Sequence, residues 1–132
     1  MLASTTFSRA SPQIIAPSNA FAIINQAAFT GWSVRQMQKG GWVYILTNRP
    51  NGILYIGVTS DLVRRTAEHR AGEVNGFTKR YGLKELVYFE HHEDILTAIA
   101  REKAIKAWTR AWKVRLLIAG NPEWNDLYPN IL

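Results

Sequence analysis

Cysteine is absent from the 132 residues. That excludes disulfides and thiolate metal ligation, and it suits a reducing cytosol. No apolar run reaches the roughly 18–20 residues that a membrane-spanning helix needs, so no membrane association is expected and the expected location is cytoplasmic. Acidic residues are missing from the first 38 positions, which hold two Arg among many Ser, Ala, Thr and Asn. Neither helical nor strand periodicity emerges there, so residues 1–38 read as a disordered or loosely structured extension ahead of a globular domain spanning 39–132. Two origins fit this extension. An acid-free, Ser-rich start with Arg9 is like an organelle transit peptide; alternatively, Met37 is the true start and the preceding segment is not native. The second is preferred, because transit peptides carry more Arg than this.

What is present is bulk and positive charge. Five Trp, five Phe and five Tyr supply a core for one domain. A net charge of +6 and a pI near 9.9 favour a polyanionic partner such as nucleic acid over a merely soluble basic protein.

From residue 42 the patterning sharpens. Residues 42–47 (WVYILT) are β-branched and aromatic and read as a strand. Asn48 to Gly52 is turn chemistry, and 53–58 (ILYIGV) completes a hairpin. Thr59 or Ser60 is placed to cap a helix with Asp61 in its first turn, running to about Arg70 and stopping near Gly72. A loop carrying the basic stretch Phe77–Tyr81 follows, then a strand over 86–90 and helices over about 94–108 and 111–119, the last ended by Gly120, Asn121 and Pro122. The order β-β-α-β-α-α predicts a small α+β domain in which helices flank a three-stranded, mainly antiparallel sheet.

Several residues could carry chemistry. Tyr44 and Tyr55 lie on adjacent strands, and Gly57 leaves space beside Tyr55 of the kind a ligand or backbone uses. Taken alone, the two tyrosines read equally well as core aromatics. Arg65 and His69, four apart, share one helical face, flanked by Arg64 and Arg70. Arg forks onto phosphate and His moves a proton near neutral pH, whereas a plain structural reading makes them a solvated basic face with Glu68 as partner. Glu102 falls on or beside the apolar stripe of Ile95 and Ile99. It is either a metal ligand or a buried acid neutralised by Arg65 or a Lys. Lys79, Arg80, Lys106 and Arg110 add basic groups for phosphate contact. Trp108 and Trp112 read as core, given their helical spacing.

In order, these pieces resemble the GIY-YIG nuclease superfamily, and more narrowly its short single-domain bacterial members related to the nuclease module of the excision-repair incision subunit. The two name-giving tripeptides correspond to Trp42-Val43-Tyr44 and Tyr55-Ile56-Gly57, the second intact and the first keeping only its Tyr. Arg65 follows Tyr55 by ten residues, His69 comes four later, Glu102 matches the family glutamate, and Asn121 is preferred over Asn125 for the late asparagine. The likeness covers about residues 42–128. Trp42 and Val43 depart from the usual Gly-Ile, and Val58 stands where some members have Lys.

The resemblance implies a metal-dependent DNA endonuclease that hydrolyses phosphodiesters in DNA repair or processing. Tyr55 would be the general base, with Tyr44 and His69 orienting it or relaying the proton. Glu102 would hold Mg²⁺ or Mn²⁺, Arg65 would bear on the phosphoryl group and Asn121 would support the geometry. Arg64, Arg70, Lys79, Arg80, Lys106 and Arg110 would contact DNA, structured or single-stranded. The alternative is a non-catalytic nucleic-acid-binding module, or a partner of a larger repair protein.

Overall fold

The computed structural model describes residues 40–132, so the readings made for residues 1–38, Met37 included, lie outside it. Two strands open the domain, β1 (Gly41–Thr47) and β2 (Leu54–Thr59), followed by helix α1 (Leu62–Arg70) and the five-residue helix α2 (Phe77–Tyr81). Strand β3 (Glu85–His92) comes next. Helices α3 (Ile95–Lys106) and α4 (Arg110–Ile118) and a final helical turn, α5 (Tyr128–Ile131), complete it. The sheet order is β2-β1-β3 with both pairings antiparallel, so the fold is the expected small α+β domain with a three-stranded sheet flanked by helices.

β1 is central, and all seven of its residues are buried. Its alternation divides the core in two. Val43 and Ile45 face Ile56, Tyr88, Ala98 and Ile105 together with Leu116, Leu117 and Trp108, beneath α3 and α4. Trp42, Tyr44 and Leu46 face Leu62 of α1, Leu83, Leu86 and Ile131 of α5. Burying each such side chain contributes roughly 1.5–3 kcal/mol before chain entropy is charged against it, so a strand buried on both faces is the main apolar anchor. A register shift between Ile45 and Leu46 along β3 adds one residue on the β3 side. Trp108 and Trp112 pack edge-on, 5.7 Å apart, at the α3–α4 junction, as their spacing predicted.

Local chemistry differs from expectation in three places. The N-cap of α1 is Asp61, whose Oδ1 accepts from the Arg64 N–H at 3.1 Å; Thr59 instead accepts from the Asp61 N–H. A carboxylate there answers both the orphan amides and the positive end of the helix, which a hydroxyl answers only in part. The stretch Phe77–Tyr81, read as loop, is the helix α2, held between Gly76 (φ +106°) and Gly82 (φ +66°). Third, β3 extends past Glu90, which is fully buried and accepts from Tyr88 Oη (2.5 Å) and Arg101 Nε (2.9 Å), with His92 Nε2 at 2.6 Å. Burial opposes its charge, but the bonds from His92 and Arg101 outweigh it and hold the carboxyl below its usual range.

The hairpin explains Gly57. Tyr44 pairs with Gly57 across the sheet, and its ring lies flat over that position: a Cβ on Gly57 would sit 2.4 Å from Tyr44 Cζ. The space expected for a ligand is therefore filled by Tyr44. Gly57→Ala is expected to destabilise the domain by about 1–3 kcal/mol, the usual penalty for overpacking, as read from the urea midpoint at unchanged slope.

Candidate functional site

Tyr44, Tyr55, Arg65, His69 and Glu102 come together where β1 and β2 meet α1. Tyr55 pairs with Leu46, two positions along from the Tyr44–Gly57 pair, so both tyrosines point to the same face. Their rings are 6.3 Å apart, and His69 lies 5.8 Å from Tyr44 and 5.7 Å from Tyr55, so the three rings form a triangle. Tyr44 Oη is 3.0 Å from His69 Nε2, and the other imidazole nitrogen, Nδ1, is 3.1 Å from Thr78 Oγ1 on α2. Arg65 bonds Glu68 Oε1 at 3.1 Å and also lies against the Tyr44 hydroxyl. Glu102 is close enough for its charge to act on Tyr44.

The electrostatics do not favour proton abstraction by Tyr44 or proton uptake by His69. Burial, followed by the neighbouring Tyr55, pushes the Tyr44 phenol well above its ordinary value near 10; Arg65 pulls the other way and loses. Burial also pulls His69 down to about 4, with the charge of Arg65 adding to the effect and Glu68 opposing it. His69 is therefore a neutral imidazole at physiological pH, with both nitrogens occupied. Arg65 keeps its charge, because its bonds to Tyr44 and Glu68 outweigh its partial burial.

Glu102, the residue expected to bind metal, is held in an ion pair. Glu102 is nearly buried, and its Oε2 is 2.6 Å from Lys106 Nζ, one helical turn on. Among the described residues no three His, Cys, Asp or Glu side chains are grouped so as to hold a metal ion. A single carboxylate already neutralised by a Lys is a poor Mg²⁺ or Mn²⁺ ligand, and of the two readings of Glu102 the geometry realises the neutralised acid.

Other expected positions are occupied with structural work. Asn121 is buried; its amide donates to the Val87 carbonyl (3.0 Å) and the Asn125 carbonyl (2.9 Å), and its Oδ1 accepts from the Asn125 N–H (3.0 Å). It folds the 121–125 turn onto β3. Arg110 Nη2 donates to the carbonyls of Asn51 (3.0 Å) and Gly52 (2.8 Å), locking the hairpin turn. Arg70 bonds Asp126 at 2.7 Å and covers the Tyr128 ring at 4.3 Å. Arg64, Lys79 and Arg80 face solvent. Thr78 was not singled out in the sequence, and a Thr in a basic pentapeptide gives no signal that it is buried. Phe77 and Tyr81 are also exposed, their rings 4.8 Å apart on one face of α2.

A family model described as the GIY-YIG catalytic domain matches residues 40–115, and the chain belongs to that family. Within it, the chain is similar to UPF0213 proteins. That of Haloquadratum walsbyi is 40% identical over 67 residues, which is 51% of this chain and 75% of the relative. The Natronomonas pharaonis protein is 40% identical over 81 residues (61% and 94%), and a Pseudomonas aeruginosa protein 36% over 77 (58% and 74%). The solution NMR structure of a UPF0213 protein from Bacillus halodurans is 27% identical, with a TM-score of 0.43, over 65% of this chain and 90% of that one.

These findings correct two expectations. The supported kinship is to UPF0213 and not specifically to the excision-repair module. The expectation of a magnesium-dependent endonuclease, a hydrolase, is overturned by kinship to UPF0213 proteins together with the missing metal-ligand group among the described residues. No helix among the described residues is long and apolar enough to cross a membrane.

The His69 shift fixes a pH dependence. Its folded value is depressed, so as pH falls below the unfolded value near 6.5 the unfolded chain takes up a proton that the folded one refuses. Stability is therefore lost between about pH 6.5 and 4. Moving from pH 7 to pH 5 is expected to lower the unfolding free energy by roughly 1–2 kcal/mol more in the wild type than in His69→Gln, as measured by urea denaturation.

Proposed function

We propose that this protein is a non-catalytic nucleic-acid-binding module whose contact surface runs from the Arg64–Arg65 face of α1 onto α2. One observation carries the reading: a part-exposed Arg65, steadied by Glu68 and Tyr44, shares α1 with His69, whose ring contacts Thr78 of a short helix that presents Lys79 and Arg80 beside the exposed Phe77 and Tyr81 rings. Among the described residues neither Lys79 nor Arg80 forms an ion pair. Fixed Arg and open Lys/Arg groups suit phosphates, and flat aromatic faces suit sugars or bases. The family takes its name from a catalytic domain, but here the phenol of Tyr44 is held protonated, His69 is held neutral, and Glu102 is taken by Lys106. These are the properties of a surface that binds without cutting. DNA is the expected partner. The excess charge of residues 40–132, thirteen basic against ten acidic, is modest, so the affinity rests on local placement and not on global attraction.

The test is fluorescence anisotropy with labelled DNA, duplex and single-stranded, across about 50–200 mM salt. Binding is expected to weaken as salt rises. Lys79→Ala with Arg80→Ala is expected to lower affinity by roughly 3–10-fold and to flatten the salt slope by about one per lost phosphate contact. The DNA is expected to stay intact when Mg²⁺ or Mn²⁺ is added. Divalent-dependent nicking that Glu102→Ala removes would overturn the reading, and so would the absence of salt-sensitive binding.

A further inference from the structure

We infer that Thr78 is a positioning residue: its hydroxyl sets the tautomer and tilt of His69, and through that contact keeps the α2 surface in register with Arg65. The second half of this inference rests on the binding surface proposed above; the first half does not. The starting point is the burial pattern of α2. Phe77, Lys79, Arg80 and Tyr81 are exposed, and Thr78 alone among the five is buried, at 4% exposure. A five-residue helix has no stability of its own in water. The Leu83 N–H to Thr78 carbonyl bond (2.9 Å) closes the helix's own C-terminal turn, and a polar side-chain tie of α2 to the rest of the domain is the contact of Thr78 Oγ1 with His69 Nδ1 (3.1 Å). Gly76 and Gly82, both at positive φ with open space where a Cβ would stand, bracket the segment without fixing it.

The direction of the hydrogen bonds follows from the donor inventory. The Arg65 guanidinium lies near the Tyr44 oxygen and can only donate, so a lone pair of that oxygen faces the positive charge and the phenol proton turns toward His69. His69 Nε2 then accepts at 3.0 Å, the neutral ring carries its hydrogen on Nδ1, and that N–H donates to Thr78 Oγ1. The reverse arrangement would leave the phenol proton of the buried Tyr44 without an acceptor. A histidine free in water favours hydrogen on Nε2, so the tautomer assigned here depends on the site. The chain Arg65, Tyr44, His69, Thr78 thus joins the phosphate-facing end of α1 to the underside of α2.

The experiment is ¹⁵N NMR of the imidazoles at neutral pH, with His69→Gln identifying the His69 signals among the three histidines. The wild type is expected to show a protonated Nδ1 and a bare Nε2. Thr78→Val keeps the shape and removes the hydroxyl; the pattern is expected to move toward protonated Nε2, and Thr78→Ser is expected to restore it. DNA affinity is expected to fall roughly 3–10-fold in Thr78→Val, with Lys79 and Arg80 untouched, and to recover in Thr78→Ser. A wild-type ring protonated on Nε2 overturns the assignment with no variant needed. An unchanged tautomer in folded Thr78→Val overturns it as well. A tautomer that responds while affinity does not move overturns the link to α2. A tautomer that responds in a protein that binds no DNA upholds the positioning role and overturns the proposed function instead.

Discussion

The domain depends on one strand being wanted by everything around it. β1 is hydrogen-bonded on both edges and buried on both faces, so each of its side chains is a core residue whatever else it does. Tyr44 therefore cannot be placed for chemistry alone. Its ring must fit over Gly57 and its hydroxyl must find partners in a dry interior, and His69 and Arg65 supply them. The geometry that brings two tyrosines, an arginine and a histidine together is the packing geometry of the central strand. The same burial raises the phenol's pKa and depresses that of the imidazole. Tyr44 and His69 can thus be kept by stability while their acid–base reach is withdrawn.

Much of this was legible in the sequence, for reasons that can be located. Alternating Trp42, Tyr44 and Leu46 and the Asn51-Gly52 turn specify a hairpin because period and turn chemistry are local. The spacing of Arg65 and His69 placed both on one helical face for the same reason. The misses were all long-range or too short to be periodic. Five residues of α2 are fewer than two turns, and nothing within them distinguishes Thr78 from an exposed hydroxyl. Glu102 was correctly read as an inward acid, but whether metal or Lys106 answers it depends on rotamers. Arg110 looked like one basic group among many until the hairpin turn, nearly sixty residues upstream in the chain, was seen to occupy it.

The second buried charge shows the same limit from the other side. Glu90 sits at the end of a β-rich run, where a polar residue is usually read as the strand's exit to solvent. It is instead the most buried acid of the domain, ringed by Tyr88, His92 and Arg101. Arg101 reaches it from α3 and also lies 5.3 Å from the centre of the Trp108 ring, so one guanidinium fastens helix to sheet by charge and by contact with an aromatic face.

The clamp at the other end of α1 has a consequence for how the molecule is made. Asp126 accepts from the Leu86 N–H (3.1 Å) and from Arg70, next in sequence to His69, while the Leu127 N–H donates to the Leu86 carbonyl at 2.7 Å. The strands and α1 are complete in sequence long before residue 126 exists. During synthesis the sheet and α1 can therefore come together first, and residues 126 and 127 add the last fastening, at Arg70 and Leu86, when the chain end emerges.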